Sequence, residues 1–332
     1  MWFSLRLFVW ACGMNCVLGW IFRSKLNPPT RTDGVKDFPN NILSSLQTKT
    51  FEHQGWKCAY RYKEAKSASE LPPLVLVHPV GIGLSSWFWE PLMQQWEGEA
   101  YTLDLIGCGT LGGDFWDPQE RGMFFPLTWA QQVQTLIENH IQKPCIVVCQ
   151  GGTAPIGVVL AKNSALVDRL VLTSPPIYSD MVYPLSNHTL QSNFDFYTSW
   201  RGKIVFQLLE NQRAISLFSN LFLFEDKADQ NFIDLATFEC QSTIKLRPPI
   251  MAFNAGLLQH RSFYEDMQQI FQPTLILSGT SDRRAKNRLE YATTIPNCTL
   301  ETLPGFNVLP WEHAKETSDA IFDWIKTSKN FL

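Results

Sequence analysis

The sequence predicts an α/β fold with a mostly parallel central sheet, because short strand-like runs alternate with helical patterns along much of the chain. The runs are continuously apolar, which is typical of strands covered by helices on both faces of a sheet. The clearest runs lie at residues 74–78, 101–106, 146–148, 169–173, 274–278 and 299–303. Residues 50–53 and 56–62, on either side of Gln54-Gly55, predict a β-hairpin before them. Helical spacing of apolar residues predicts helices over residues 85–96, 127–141 and 314–326.

A long segment without strand pattern, residues 177–272, interrupts the alternation and is rich in aromatic residues. A structureless loop of that length is implausible, so the segment is predicted to be a helical insertion. Ligands of parallel sheets bind outside the carboxyl ends of the strands. Because the insertion joins two sheet strands, we expect it to form a cap over that edge. The predicted core is then residues 50–176 and 273–330, preceded by a linker over residues 24–49.

Composition limits the classes of partner and cofactor. A net charge of -3 and the lack of a Lys/Arg-rich run give no reason to expect nucleic-acid binding. The eight cysteines are scattered, with no C-x-x-C pair and no His at metal-ligand spacing. The expectation is therefore reduced thiols, no metal site and no cofactor. The expected compartment is the cytoplasm, at the periphery of a membrane if the N-terminal segment binds one.

Residues 1–23 form an apolar N-terminal segment whose apolar run, residues 7–22, has basic residues on both sides. The run is shorter than the roughly 20 residues that a spanning helix needs, and no small-residue cleavage site follows it. Three interpretations stay open: membrane association through residues 1–22, a helix packed on the domain, or an initiating methionine assigned too early.

The most informative motif is the strand, turn and helix predicted over residues 143–157. Its pattern is that of a nucleophile elbow, G-x-S-x-G, in which a Ser at the tip of a strained turn attacks the substrate. If residues 146–148 are the strand, Gly151 occupies the tip. Cys149 and Thr153 then take the small positions two residues before and two residues after it. Glycine has no side chain that could act as a nucleophile.

The order of these motifs resembles the α/β-hydrolase fold superfamily over residues 50–328. His78-Pro-Val-Gly81 is similar to the family's oxyanion loop, and Asp104-Leu-Ile-Gly-Cys-Gly109 to its D-x-x-G-x-G turn. Residues 273–282 resemble the strand that ends in the acid of the catalytic triad, and residues 303–312 resemble the loop that carries its histidine. The resemblance places the acid at Asp282 and the histidine position at Val308.

The resemblance also implies a ligand pocket. The backbone N–H groups of Val80 and Gly152 correspond to oxyanion-hole donors, and the pocket residues are predicted to be His78, Gln150 and Asn307. A triad needs a nucleophile, a base to activate it and an acid to orient the base. With Gly151 and Val308 at the first two positions, the hydrolase reaction is predicted to be lost, and a small apolar ligand is the expected partner.

Residues 250–256, residues 305–312 and the V-x-Q-G form of the elbow resemble a triad-lacking branch of this superfamily from cyanobacteria and plastids. The first hypothesis is therefore a non-catalytic protein that binds a ligand or has an accessory role. The alternative is an active hydrolase or lyase of small lipophilic esters or thioesters. Its candidate nucleophile is Cys149 or, less favourably, Thr153, and a base would have to come from the cap, at His188 or His260.

Overall fold

The computed structural model describes residues 46–66, 69–122 and 127–328, with the backbone alone at residue 127. The predictions for residues 1–23 and for most of the linker lie outside these ranges. The strands are β1 (Gln47–His53), β2 (Trp56–Lys63), β3 (Leu74–Val77), β4 (Ala100–Leu103), β5 (Cys145–Gln150), β6 (Val167–Thr173), β7 (Thr274–Gly279) and β8 (Cys298–Leu303).

The strands form one sheet in the order β1-β2-β4-β3-β5-β6-β7-β8. The β1–β2 hairpin is antiparallel and pairs antiparallel with β4, whereas all pairs from β4 to β8 are parallel. Strands β3 and β5 are buried at every position, because helices cover both faces of the sheet centre. The predicted fold class, a mostly parallel sheet between helices, is confirmed.

The helices follow the alternation that the sequence predicts. Helix α4 packs against β5 and β6, and α14 packs against α1. In chain order they are α1 (Glu90–Gln95), α2 (Pro118–Arg121), α3 (Leu127–Leu136), α4 (Ala154–Asn163), α5 (Tyr178–Val182), α6 (Asn187–Thr198), α7 (Trp200–Leu209), α8 (Gln212–Phe222), α9 (Gln230–Ser242), α10 (Arg247–Asn254), α11 (Tyr264–Gln268), α12 (Leu289–Thr294), α13 (Leu309–Glu312) and α14 (Ala314–Ser328).

Three boundaries differ from the sequence-based expectation. Strand β1 begins at Gln47, so the last residues of the predicted linker belong to the hairpin. The helix expected over residues 85–96 is divided into a 3-10 turn, Ser86–Trp89, and α1, because Pro91 favours the first turn of a new α-helix. The helix expected over residues 127–141 ends in a π-helical turn, Ile137–Ile141.

Helices α5 to α11 stand between β6 and β7, and α9, α10 and the end of α8 lie over the carboxyl edge of the sheet. Three close contacts show this placement. A Cβ added to Gly83, after β3, would lie 1.9 Å from the carbonyl oxygen of Ala236 on α9. A Cβ added to Gly152, after β5, would lie 2.5 Å from the ring of Phe253 on α10. The backbone N–H of Asn307, after β8, donates to Leu223 O at 3.1 Å.

None of the helices within the described ranges has the length and apolar character that crossing a membrane requires.

Candidate active site

The turn between β5 and α4 has the backbone of an elbow without a reactive side chain. Gly151 follows the last residue of β5 directly and adopts φ +60°, a conformation that glycine reaches without the strain other residues would carry. A Cβ on Gly151 would meet one atom within 4 Å, Ser174 O at 3.9 Å. The turn therefore has room for a side chain where a nucleophile would stand, and Gly151 leaves that room open.

The alternative nucleophile Cys149 lies inside the core. Its side chain has no exposed surface, and its sulfur faces α4, where a Cβ on Gly157 would lie 2.8 Å from Sγ. Burial raises the pKa of the Cys149 thiol well above its ordinary value, so the reactive thiolate is disfavoured. Thr153 is equally buried and donates its hydroxyl to Gln150 O at 2.9 Å. These contacts argue against either residue as a nucleophile.

The loop that corresponds to the histidine position is bound to the cap. Val308 is 2% exposed, and its backbone N–H donates to Leu223 O at 3.3 Å. The side chain of Asn307 donates to Phe222 O at 3.3 Å. The Glu312 carboxylate accepts from the N–H of Phe306 at 3.1 Å and from that of Glu225 at 2.8 Å. This loop has the structural role of holding the cap and carries no imidazole.

Gln150 joins the ends of β5, β6 and β8. Its side-chain amide donates to Asn307 O at 2.8 Å and its carbonyl oxygen accepts from the Thr173 hydroxyl at 2.6 Å. The side chain is 2% exposed. The structure thus brings the predicted pocket residues Gln150 and Asn307 together directly below the Gly151 turn. Asn307 is half-buried, whereas Gln150 supports the turn from within.

The acid position is occupied by a carboxylate that is fully engaged. Asp282 Oδ2 lies 2.6 Å from Nη1 of Arg288, and both side chains are nearly completely buried. Asp282 Oδ1 accepts the backbone N–H of Arg284 at 2.9 Å. Arg288 also donates to Pro175 O at 2.7 Å and to the Ser278 hydroxyl at 3.2 Å. Asp282 and Arg288 therefore join the ends of β6 and β7, and each oxygen of the carboxylate already accepts one hydrogen bond.

The predicted pocket residue His78 is used inside the core. Its Nε2 accepts the backbone N–H of Leu105 at 3.1 Å, so the proton must lie on Nδ1, which donates to Pro79 O at 2.8 Å. Burial lowers the pKa of the ring, with Asp104 acting in the opposite direction, and this favours the neutral form. With both nitrogens engaged and no exposed surface, His78 fixes the turn after β4 and offers no group to a ligand.

The oxyanion-hole positions retain their donors. Val80 follows β3 and Gly152 follows Gly151, and neither N–H takes part in the turn and loop hydrogen bonds found among the described residues. Phe253 packs against Gly152 and covers this side of the turn. The site can therefore offer backbone donors and an aromatic surface, whereas neither Gly151 nor the buried Cys149 and Thr153 presents a nucleophile to it.

Ser174, the residue after β6, is the strained position beside the elbow. It has φ +44°, a region that non-glycine residues rarely adopt. Its N–H donates to Leu277 O at 2.8 Å, and the carbonyls of the next two residues accept from Arg288 and from Tyr291. Its hydroxyl is buried without a hydrogen-bond partner. Such strain persists where surrounding contacts impose it, often next to a binding site.

A buried charged cluster connects the cap to the core behind this site. The Asp104 carboxylate accepts the N–H groups of Ser86 and Leu111, at 3.1 and 2.9 Å. Glu239 on α9 accepts from the Thr110 hydroxyl at 3.0 Å. Burial, with the negative charge of Asp104, raises the pKa of Glu239 to about 8. This raised pKa favours the neutral form of Glu239, and the buried Arg61 guanidinium faces Asp104 and Glu239, so both effects reduce like-charge repulsion between cap and core.

Sequence patterns do not mark Arg288, Ser174 or Phe253 as parts of this site. Ser174 follows the run at residues 169–173, Phe253 lies in the motif at residues 250–256, and nothing local marks Arg288 as the partner of Asp282. The available signal was the requirement that a buried carboxylate have a cation or donors close by. The described residues contain no group of three or more His, Cys, Asp or Glu side chains placed to hold a metal ion.

Solved structures similar to this chain are enzymes of the α/β-hydrolase fold. A probable hydrolytic enzyme from Pseudomonas aeruginosa is 15% identical with a TM-score of 0.67, the match covering 89% of this chain and 98% of that one. Proline iminopeptidase from Mycobacterium smegmatis is 12% identical with a TM-score of 0.64, covering 85% and 98%. The enol-lactonase from Burkholderia xenovorans is 15% identical with a TM-score of 0.62, covering 84% and 100%.

No family model matches the sequence, and no curated protein does. At these low identities the structural likeness defines the fold of the chain, which is the α/β-hydrolase fold.

Proposed function

We propose that this chain is a non-catalytic protein of the α/β-hydrolase fold that binds a small lipophilic ligand between the Gly151 turn and the cap. The observation that carries the proposal is the open Gly151 turn: its backbone has the elbow conformation, and its side-chain space is free. A protein that had lost only its chemistry would keep such a space, because the surrounding framework still folds in the same way.

The other triad positions support the same reading. Val308 can neither accept nor return a proton, and Asp282 is engaged by Arg288 and by the backbone of Arg284. Removal of a nucleophile or a base typically lowers turnover by about 10⁶-fold. Backbone donors at Val80 and Gly152 can bind an oxygen atom but cannot replace covalent attack.

The apolar character of the ligand follows from the groups around the turn. Phe253 packs against Gly152, and Val80 and Val308 are apolar residues of the loops after β3 and β8, whereas the carboxylate of Asp282 is paired with Arg288. The few polar groups that remain free, the backbone donors and the Ser174 hydroxyl, can orient one oxygen of a ligand. A mostly apolar site with few polar groups is typical of small-molecule pockets.

The assignment to the triad-lacking branch of cyanobacteria and plastids belongs to this proposal. It is supported by the motif residues 250–256, which form the end of α10 and the turn after it, and by residues 305–312, which form the loop bound to the cap and α13. A location in the cytoplasm or the plastid stroma, at the periphery of a membrane, goes with that assignment.

Thermal unfolding with added ligands tests the proposal. We expect a long-chain fatty acid, an isoprenoid alcohol or a carotenoid to raise the Tm of the full-length chain, because a ligand at about 100 times its Kd stabilises by about 2.7 kcal/mol. Gly151→Ala and Gly151→Leu share the cost of φ +60°. Only leucine fills the open space, so the ligand-induced shift should persist in the first variant and disappear in the second.

The comparison uses the shift that each variant gains on ligand addition, which removes the effect of backbone strain. If none of the three probe classes raises the Tm of the wild-type chain, the proposed ligand binding is wrong. A shift of equal size in Gly151→Leu would mean that the ligand binds elsewhere.

A further inference from the structure

The cap presents an apolar face to solvent on α7 and α8, which are consecutive and pack against each other. Trp200 and Ile204 on α7 are 68% and 44% exposed, and Leu217 and Leu221 on α8 are 40% and 51% exposed. We name these four residues the cap face. Each pair is four residues apart, so its two side chains lie about 40° from each other around the helix axis.

Basic residues border the cap face. On α7, Arg201 and Lys203 are both exposed, and they lie on opposite sides of the apolar pair, Arg201 about 60° from Ile204 and Lys203 about 60° from Trp200. The guanidinium of Arg201 lies 5.3 Å from the centre of the Trp200 ring. On α8, Arg213 is exposed one turn before Leu217. An apolar strip between basic residues is typical of helices that lie at a membrane interface.

Neither α7 nor α8 itself carries an acidic residue, and the exposed carboxylate beside them, Asp234 on α9, accepts from Gln212 of α8 at 2.8 Å. The acidic residue between the helices, Glu210, is buried and paired with Arg247, whose Nε lies 2.5 Å from its Oε1. The chain as a whole carries a net charge of -3, so the positive local charge does not follow from overall composition. The basic residues that border the cap face, Arg201, Lys203 and Arg213, are complementary to a negatively charged surface.

We infer that the cap face docks on a lipid bilayer that contains anionic headgroups. Trp200 and the aliphatic side chains enter the interface, while Arg201, Lys203 and Arg213 contact the phosphates. This docking does not depend on the ligand at the Gly151 turn or on residues 1–22. It places the cap side of the protein, and with it the carboxyl edge of the sheet, towards the membrane.

Co-sedimentation of the full-length chain with vesicles tests this inference. We expect binding to vesicles of phosphatidylcholine and phosphatidylglycerol mixed at about 2:1, and little binding to phosphatidylcholine alone, since each basic residue near an anionic surface contributes about a factor of five in affinity. Trp200→Ser should weaken binding to the mixed vesicles about tenfold or more. Arg201→Gln/Lys203→Gln should weaken it by a similar factor and remove most of its dependence on salt.

Phe271→Ser is the matched control. Phe271 is 76% exposed, but it precedes β7 and so lies at the amino edge of the sheet, away from the cap. This variant should bind the mixed vesicles as the wild type does. The inference is overturned if the wild type does not bind, if Trp200→Ser binds like the wild type, or if Phe271→Ser weakens binding as much as Trp200→Ser. Binding through residues 1–22 alone would give the second of these results.

Discussion

Replacing Arg288 with methionine is expected to lower the free energy of unfolding by about 3–5 kcal/mol, because it leaves the buried Asp282 carboxylate without its cation. The substitution also removes the donors to Pro175 O and to the Ser278 hydroxyl, which join the ends of β6 and β7. Urea unfolding, monitored by tryptophan fluorescence, measures the change: the midpoint urea concentration should fall, while the dependence of the unfolding free energy on urea concentration should stay unchanged.

Two further variants separate the buried ion pair from a general loss of packing. The double variant Asp282→Asn/Arg288→Met removes both charges and should lose less stability than Arg288→Met alone, because no buried charge is left unpaired. Lys315→Met removes an ion pair with Asp319 that is 70% and 58% exposed, and it should cost less than about 1 kcal/mol. The account fails if Arg288→Met is no more harmful than Lys315→Met, or if the double variant loses more than the single one.

Replacing Gly83 with alanine is expected to cost about 2–5 kcal/mol, the sum of about 1–2 for positive φ and about 1–3 for overpacking. Gly83 has φ +71°, and the added Cβ would lie 1.9 Å from Ala236 O on α9. The backbone of α9 would have to move away from the loop after β3, which would loosen the cap from the core.

Gly55→Ala is the control for the backbone term. Gly55 lies in the β1–β2 turn with φ +81°, and no atom lies within 4 Å of its added Cβ. It should cost only about 1–2 kcal/mol in the same unfolding experiment. Equal losses in the two variants would show that the cap does not press on Gly83 as the structure indicates.

The sequence predicted the sheet because its central strands are buried on both faces, so that their residues form continuous apolar runs. Residues 146–148 and 274–278 are examples, and both fall within observed strands. Boundaries were harder to predict where the pattern is weak. Strand β1 begins at Gln47 because its first four residues are exposed and carry no apolar signal.

The candidate site was predictable only as far as local motifs reach. The position of Gly151 followed from the strand before it and the helix after it, and its φ of +60° fits a glycine at that tip. The pairing of Asp282 with Arg288 was not predictable from the strand motif, because the residue that neutralises a carboxylate is chosen by the fold. The hydrogen bonds from Val308 to the cap likewise depend on α8 ending at Phe222, far away in sequence.

The glycine at the elbow and the paired carboxylate of Asp282 both stabilise the folded chain at this site. Two sources of instability that active sites often contain are reduced here. Gly151 adopts positive φ without the strain that another residue would have, and Arg288 neutralises the charge of Asp282. Sites of catalysis commonly reduce stability for the sake of function. The remaining strain is at Ser174, beside the open turn. That distribution fits a framework kept for binding.

The most direct test of the central claim, that no side chain of this site acts as a nucleophile, is the intact mass of the full-length chain after incubation with a β-lactone. This reagent acylates a hydroxyl or thiol that a neighbouring base activates. We predict an unchanged mass, because Gly151 has no side chain and burial keeps Cys149 protonated. A single stoichiometric adduct on the folded chain, absent after denaturation, would contradict the account, and its loss in Cys149→Ala would identify that thiol as the nucleophile.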